Sequence, residues 1–78
     1  MSKVIRLKQK NFSGFAYLCH VPGAGFTVVQ DDMADDINRH VLRFGDSIYD
    51  RAAAGVHMAD MEARGFSNVE LIPTPQEF

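Results

Sequence analysis

Ser47-Ile48-Tyr49-Asp50-Arg51-Ala52-Ala53-Ala54-Gly55-Val56-His57-Met58-Ala59-Asp60-Met61-Glu62-Ala63-Arg64-Gly65 is the longest stretch of the chain with a single periodicity. It predicts a helix over residues 47–64. Asp46 or Ser47 can cap the first orphan amides, and Gly65 sits where a left-handed residue ends a helix. At about 100° per residue, Ile48, Ala52, Gly55, Val56, Ala59 and Ala63 share one face. Short side chains let a helix lie low on a pleated sheet, so this face is expected to pack inward. Gly55 costs roughly 1 kcal/mol against alanine in a helix interior, and a tight contact there is the expected reason for it. Ala54, Met58 and Met61 form a second apolar strip away from that face.

Strand patterns precede the helix. Residues 3–8, Lys-Val-Ile-Arg-Leu-Lys, alternate, with Ile5 and Leu7 on one side and Arg6 and Lys8 on the other. Asn11-Phe12-Ser13-Gly14 carries turn chemistry. Phe15 to Val21 and Phe26 to Gln30 are aromatic and branched, and Pro22-Gly23-Ala24-Gly25 between them predicts a hairpin. The segment Ile37–Phe44 fits two patterns. Met33, Ile37, Val41 and Phe44 have helical spacing, with Asp32 as a cap. His40, Leu42 and Phe44 alternate with Arg39, Val41 and Arg43 as in a strand. The strand is preferred, because a helix there would leave little chain before the one at Ser47. Beyond the helix, Val69-Glu70-Leu71-Ile72 predicts a last strand, closed by Pro73 and Pro75.

The expected fold is α+β: a small antiparallel sheet of three to four strands, roughly β-β-β-α-β, with one long helix packed across one face. Residues 1–72 make a single domain, and residues 73–78 an extended tail. With 78 residues the core is small and its stability margin thin. The one cysteine, Cys19, excludes a disulfide framework and points to a reducing cytosol. No apolar run reaches the ~18 residues of a membrane span, and Met1 to Arg6 lacks the apolar core of a secretory signal.

Charge is divided along the chain. Residues 1–25 carry Lys3, Arg6, Lys8 and Lys10 and no acid, whereas all 10 acids lie in residues 26–78. The densest run, Asp31-Asp32-Met33-Ala34-Asp35-Asp36, suits either a solvated turn into a helix or a knob that meets a basic partner. It lacks the alternation, central glycine and terminal glutamate of a calcium loop. No metal site and no cofactor are expected, since Cys19 and His20, as strand neighbours, point to opposite faces. Gly23-Ala24-Gly25 leads into a strand and so lacks the helix amino terminus of a dinucleotide site. His57 and Asp60 can touch on the helix without forming a catalytic set. No catalytic residue is assigned.

Three binding roles follow. The first is a non-catalytic protein-binding module, with Asp31, Asp32, Asp35, Asp36, Met58 and Met61 as the contact residues. Its partner is a larger protein or protein–nucleic-acid complex, and its carboxylates sit where phosphates would otherwise bind. In size and in its pattern of strands plus one helix the chain is similar to many phage-encoded anti-CRISPR proteins, which implies an inhibitor in a bacterial or phage-infected cytosol. The second is a single-stranded nucleic-acid binder. Gly14-Phe15-Ala16-Tyr17-Leu18-Cys19-His20 resembles the aromatic core of the RNP1 pattern of RNA-recognition and cold-shock domains, with Ser13 in place of the basic residue and His20 in place of the last aromatic. That resemblance implies a surface of Lys8, Lys10, Phe15, Tyr17, Arg39 and Arg43, which the net charge of -2 disfavours. The third is a homodimeric regulatory protein joined through Met58 and Met61.

Overall fold

A computed structural model describes residues 2–78. The elements are β1 (Lys3–Lys8), β2 (Ala16–Val21), β3 (Gly25–Gln30), α1 (Ala34–His40), α2 (Ile48–Ala63) and β4 (Ser67–Pro73). The four strands form one sheet in the order β3-β2-β1-β4, antiparallel throughout. The β2–β3 hairpin runs from Ala16 opposite Gln30 to Val21 opposite Gly25. Its turn needs left-handed backbone at Gly23 (φ 85°) and Gly25 (φ 76°), which glycine adopts without a Cβ clash. The architecture is the α+β sheet with a long helix across one face that the sequence predicts.

Period-two alternation gives the sheet two buried faces. One carries Ile5, Leu7, Ala16 and Leu18, packed with Phe44 against Ala54 and Met61 of α2. The other carries Val4, Tyr17 and Cys19, packed against Ile37 of α1 and Val41. The last residue, Phe78, lies against this second face, its ring 5.0 Å from that of Tyr17 and nearly perpendicular to it. The residues after β4 are tied down there and at Thr74, whose amide donates to the Ser2 carbonyl at 3.0 Å.

Two expectations are corrected. The first is the strand over Ile37–Phe44. The chain forms the helix α1 instead, with Asp35 and Asp36 in its first turn and Arg39 and His40 in its last, the arrangement that suits the dipole. Only Val41 and Phe44 make β-bridges, to Cys19 of β2 and to Lys3 of β1. β1 and β2 pair directly through Arg6–Tyr17 and Leu7–Ala16. Beyond those pairs, residues 41–44 occupy the space between the two strands, bonding through Leu42 to the Leu18 carbonyl and through Phe44 to Lys3. The segment thereby crosses from one face to the other, with Val41 in one cluster and Phe44 in the other. Because α1 and α2 lie on opposite faces, the short connection between them poses no packing problem.

The second correction is the orientation of α2. Ser47 caps it, its Oγ accepting from the Asp50 amide at 3.0 Å. Its end is a Schellman turn: Phe66 N–H donates to the Met61 carbonyl at 3.2 Å and Gly65 N–H to that of Glu62 at 3.0 Å, with Gly65 at φ 95°. The helix nevertheless buries Ala54 and Met61 and half-buries Met58, while Ile48, Ala52, Gly55, Val56, Ala59 and Ala63 face outward. The side turned to the sheet is the one from which Met58 and Met61 pack with Ile5, Leu7, Leu18 and Phe44, so the wider apolar run stays outside. A Cβ on Gly55 would meet nothing within 4 Å, so no close approach explains that glycine.

Candidate interaction surfaces

The acidic run forms the corner between β3 and α1. Asp31 is part of its framework. Its Oδ2 accepts from the Phe15 amide at 3.0 Å, and its own amide donates to the Phe15 carbonyl at 2.9 Å. Gly14 leaves the room for this carboxylate, since a Cβ there would stand 2.7 Å from Asp31 Oδ2. Met33 N–H donates to the Gln30 carbonyl at 3.0 Å and tightens the turn. On this braced corner Asp32 and Asp35 are exposed, Asp36 is half-buried, and Met33 is 50 % exposed between them.

Next to the corner lies an open groove of about 320 Å³ lined by Val21, Val28, Val29, Met33, Asp36 and His40, with Gln9 and Gln30 at one end. It follows β3, an edge strand whose outer side has no neighbour in the sheet. Apolar side chains, one carboxylate and the open edge of β3 therefore converge, although on β3 the Gln30 carbonyl already accepts from Met33 N–H and the Phe26 carbonyl from Arg64. That is the chemistry that holds an extended peptide by strand addition. The acids were visible in the sequence as a string. The groove was not, because its valines, His40 and Met33 come from separate elements.

The other predicted contact residues do not join this surface. Met61 is fully buried and Met58 half-buried on the opposite sheet face, where they anchor α2, so Met61 is unavailable to any partner of the folded chain. This removes the homodimer seam drawn through that strip.

The aromatic–basic set is dispersed as well. Tyr17 is buried under Phe78. The Phe15 ring is occupied by the chain's own cations, with the Arg6 guanidinium 4.1 Å and Lys8 Nζ 5.1 Å from its centre. Arg6 also pairs with Glu70 across the β1–β4 ladder. Lys10 lies in the β1–β2 connection, Arg39 on α1 and Arg43 in the crossing segment. Two aromatics meant to stack bases are thus committed to internal contacts.

Cys19 is buried, and its thiol is pushed up to about 11, first by desolvation and then by the Asp36 carboxylate. A thiol held protonated at neutral pH is a poor nucleophile. His20 is exposed on the other face, and its ring meets Phe26 at 4.9 Å. His57 sits between Phe26 and Phe44, while Asp60 pairs with Arg64 at 3.1 Å, so the predicted His57–Asp60 contact gives way to those partners. Among the described residues no three metal-ligating side chains converge, and no helix is long and apolar enough to cross a membrane.

No family model, no curated protein and no solved structure matches the chain.

Proposed function

We propose that the protein is a non-catalytic binding module that docks through its β3–α1 corner onto a basic surface of a larger protein. The observation that carries this reading is the adjacency of the exposed carboxylates Asp32 and Asp35 to the apolar groove along the open edge of β3. A partner segment rich in lysine or arginine would add to the strand edge through its backbone and place its cations against the acids. Surfaces of that composition commonly hold nucleic-acid phosphates, which the carboxylates would displace. Inhibition of a nucleic-acid-handling complex is the role that follows, in keeping with the likeness in size and pattern to phage-encoded anti-CRISPR proteins.

The test is a comparison of the wild type with an Asp32→Lys/Asp35→Lys variant as immobilised baits in host lysate. A stoichiometric protein should be retained by the wild type at low salt, released at high salt, and absent from the variant. Retention of the same proteins by both baits, or of none by either, would overturn the proposal.

A further inference from the structure

The outward face of α2 is the reverse of an ordinary solvated helix surface. Ile48, Tyr49 and Val56 are 76 %, 83 % and 70 % exposed. With Ala52, Ala59 and Ala63, also exposed, they cover about 100° of the circumference without a charge, at about 100° per residue. Within this face Ile48, Ala52, Gly55 and Ala59 recur at intervals of four, three and four residues, the spacing of a two-helix seam. Alanine and glycine along a seam let two helix axes approach closely.

The charges beside the face indicate what covers it. Asp60 and Arg64 pair with each other, and Asp50 accepts from the Gly45 amide. Arg51 and Glu62 are the charged side chains of α2 left without a partner among the described residues. Both lie toward the same side of that seam, Arg51 next to Ala52 and Glu62 three residues beyond Ala59, and their midpoint falls near Val56. In an antiparallel two-fold pair each flank meets its own counterpart, with positions equidistant from the centre opposite one another. The flank is therefore self-complementary.

We propose that a second copy of this chain docks on the outer face of α2, antiparallel, with Arg51 of each copy against Glu62 of the other. One helix face is a small contact, so the dimer is weak and forms only at high concentration. It goes beyond the corner reading and does not depend on it. Since α1 lies on the other side of the sheet, a dimer leaves both acidic corners open and presents two of them at once.

Sedimentation equilibrium over rising concentrations of the full chain tests it. The wild type should pass from monomer to dimer. Val56→Lys should abolish the dimer while leaving the circular dichroism spectrum unchanged, because Val56 is exposed in the monomer. Arg51→Glu and Glu62→Arg should each weaken association about tenfold, the equivalent of about 1.4 kcal/mol, and the double exchange Arg51→Glu/Glu62→Arg should restore it. A wild type that stays monomeric up to millimolar concentration would overturn the proposal. So would single reversals without effect, or a double exchange that does not recover.

Discussion

Replacing Met61 and Val56 by alanine, one at a time, tests the orientation of α2 directly. Met61 is fully buried and Val56 is 70 % exposed. Truncating a fully buried methionine costs about 2–5 kcal/mol, from lost transfer energy and the cavity left behind. A chain of this size has roughly 4–12 kcal/mol of stability in total, so about 3 kcal/mol is a large share of it. With a urea slope of about 1 kcal/mol/M, that loss moves the midpoint down by about 3 M. Val56 has little left to lose. At about 0.8 kcal/mol per buried methylene, the fraction of its side chain out of water contributes about 0.5 kcal/mol, and the better helix propensity of alanine offsets about the same amount. Urea unfolding followed by far-ultraviolet circular dichroism, at two protein concentrations so that self-association shows separately, reads both numbers. A Val56→Ala variant that loses more than about 1.5 kcal/mol in dilute solution, beside a Met61→Ala variant that loses less than about 0.5, would mean that the helix presents its other side to the sheet.

Gly55→Ala should stabilise the dilute protein by about 1 kcal/mol, since the position is helical and open; unchanged or lower thermal stability would show a contact at Gly55 after all. Stability should fall as pH rises from about 9 toward 11, because the folded state holds the Cys19 proton after the unfolded chain has released it at its ordinary value of 9.0. The difference is on the order of 3 kcal/mol, and it should vanish from the pH profile of Cys19→Ala measured by urea titration. Asp31→Ala removes the acceptor of the Phe15 amide and should cost about 1–2 kcal/mol, whereas Asp32→Ala should leave the urea midpoint within about 0.5 kcal/mol of the wild type.

The hairpin was legible because β-branched and aromatic residues flank a turn whose glycines have no conformational rival. The ends of α2 were legible for the same local reasons, the Ser47 cap and Gly65. The periodicity of α2 offered two apolar strips and did not say which one meets the sheet; the choice fell to Ala54, Met58 and Met61, whose partners Ile5, Leu7, Leu18 and Phe44 only the fold brings together. The alternation of residues 38–44 was real but short, and helical spacing at Met33 and Ile37 with acids at the start outweighed it. No local signal announces that Val41 to Phe44 pass between two strands, since that depends on β1 and β2 separating beyond Arg6 and Tyr17. The acidic corner could be read as composition. Its bracing by Asp31 and its neighbouring groove required the fold.

β1 lies inside the sheet, between β2 and β4, although β4 is the last strand along the chain. Arg6 and Glu70, which face each other across that ladder, are separated by 64 positions in sequence. On the ribosome the first strand is therefore made long before its second neighbour exists, and during that interval one of its edges is open to other chains. Pairing so remote slows folding and lengthens the exposure. A stalled or clipped product that ends before Ser67 would keep the hairpin and both helices yet lack the strand that closes this edge, and such a fragment is the species to watch for when the protein is overproduced.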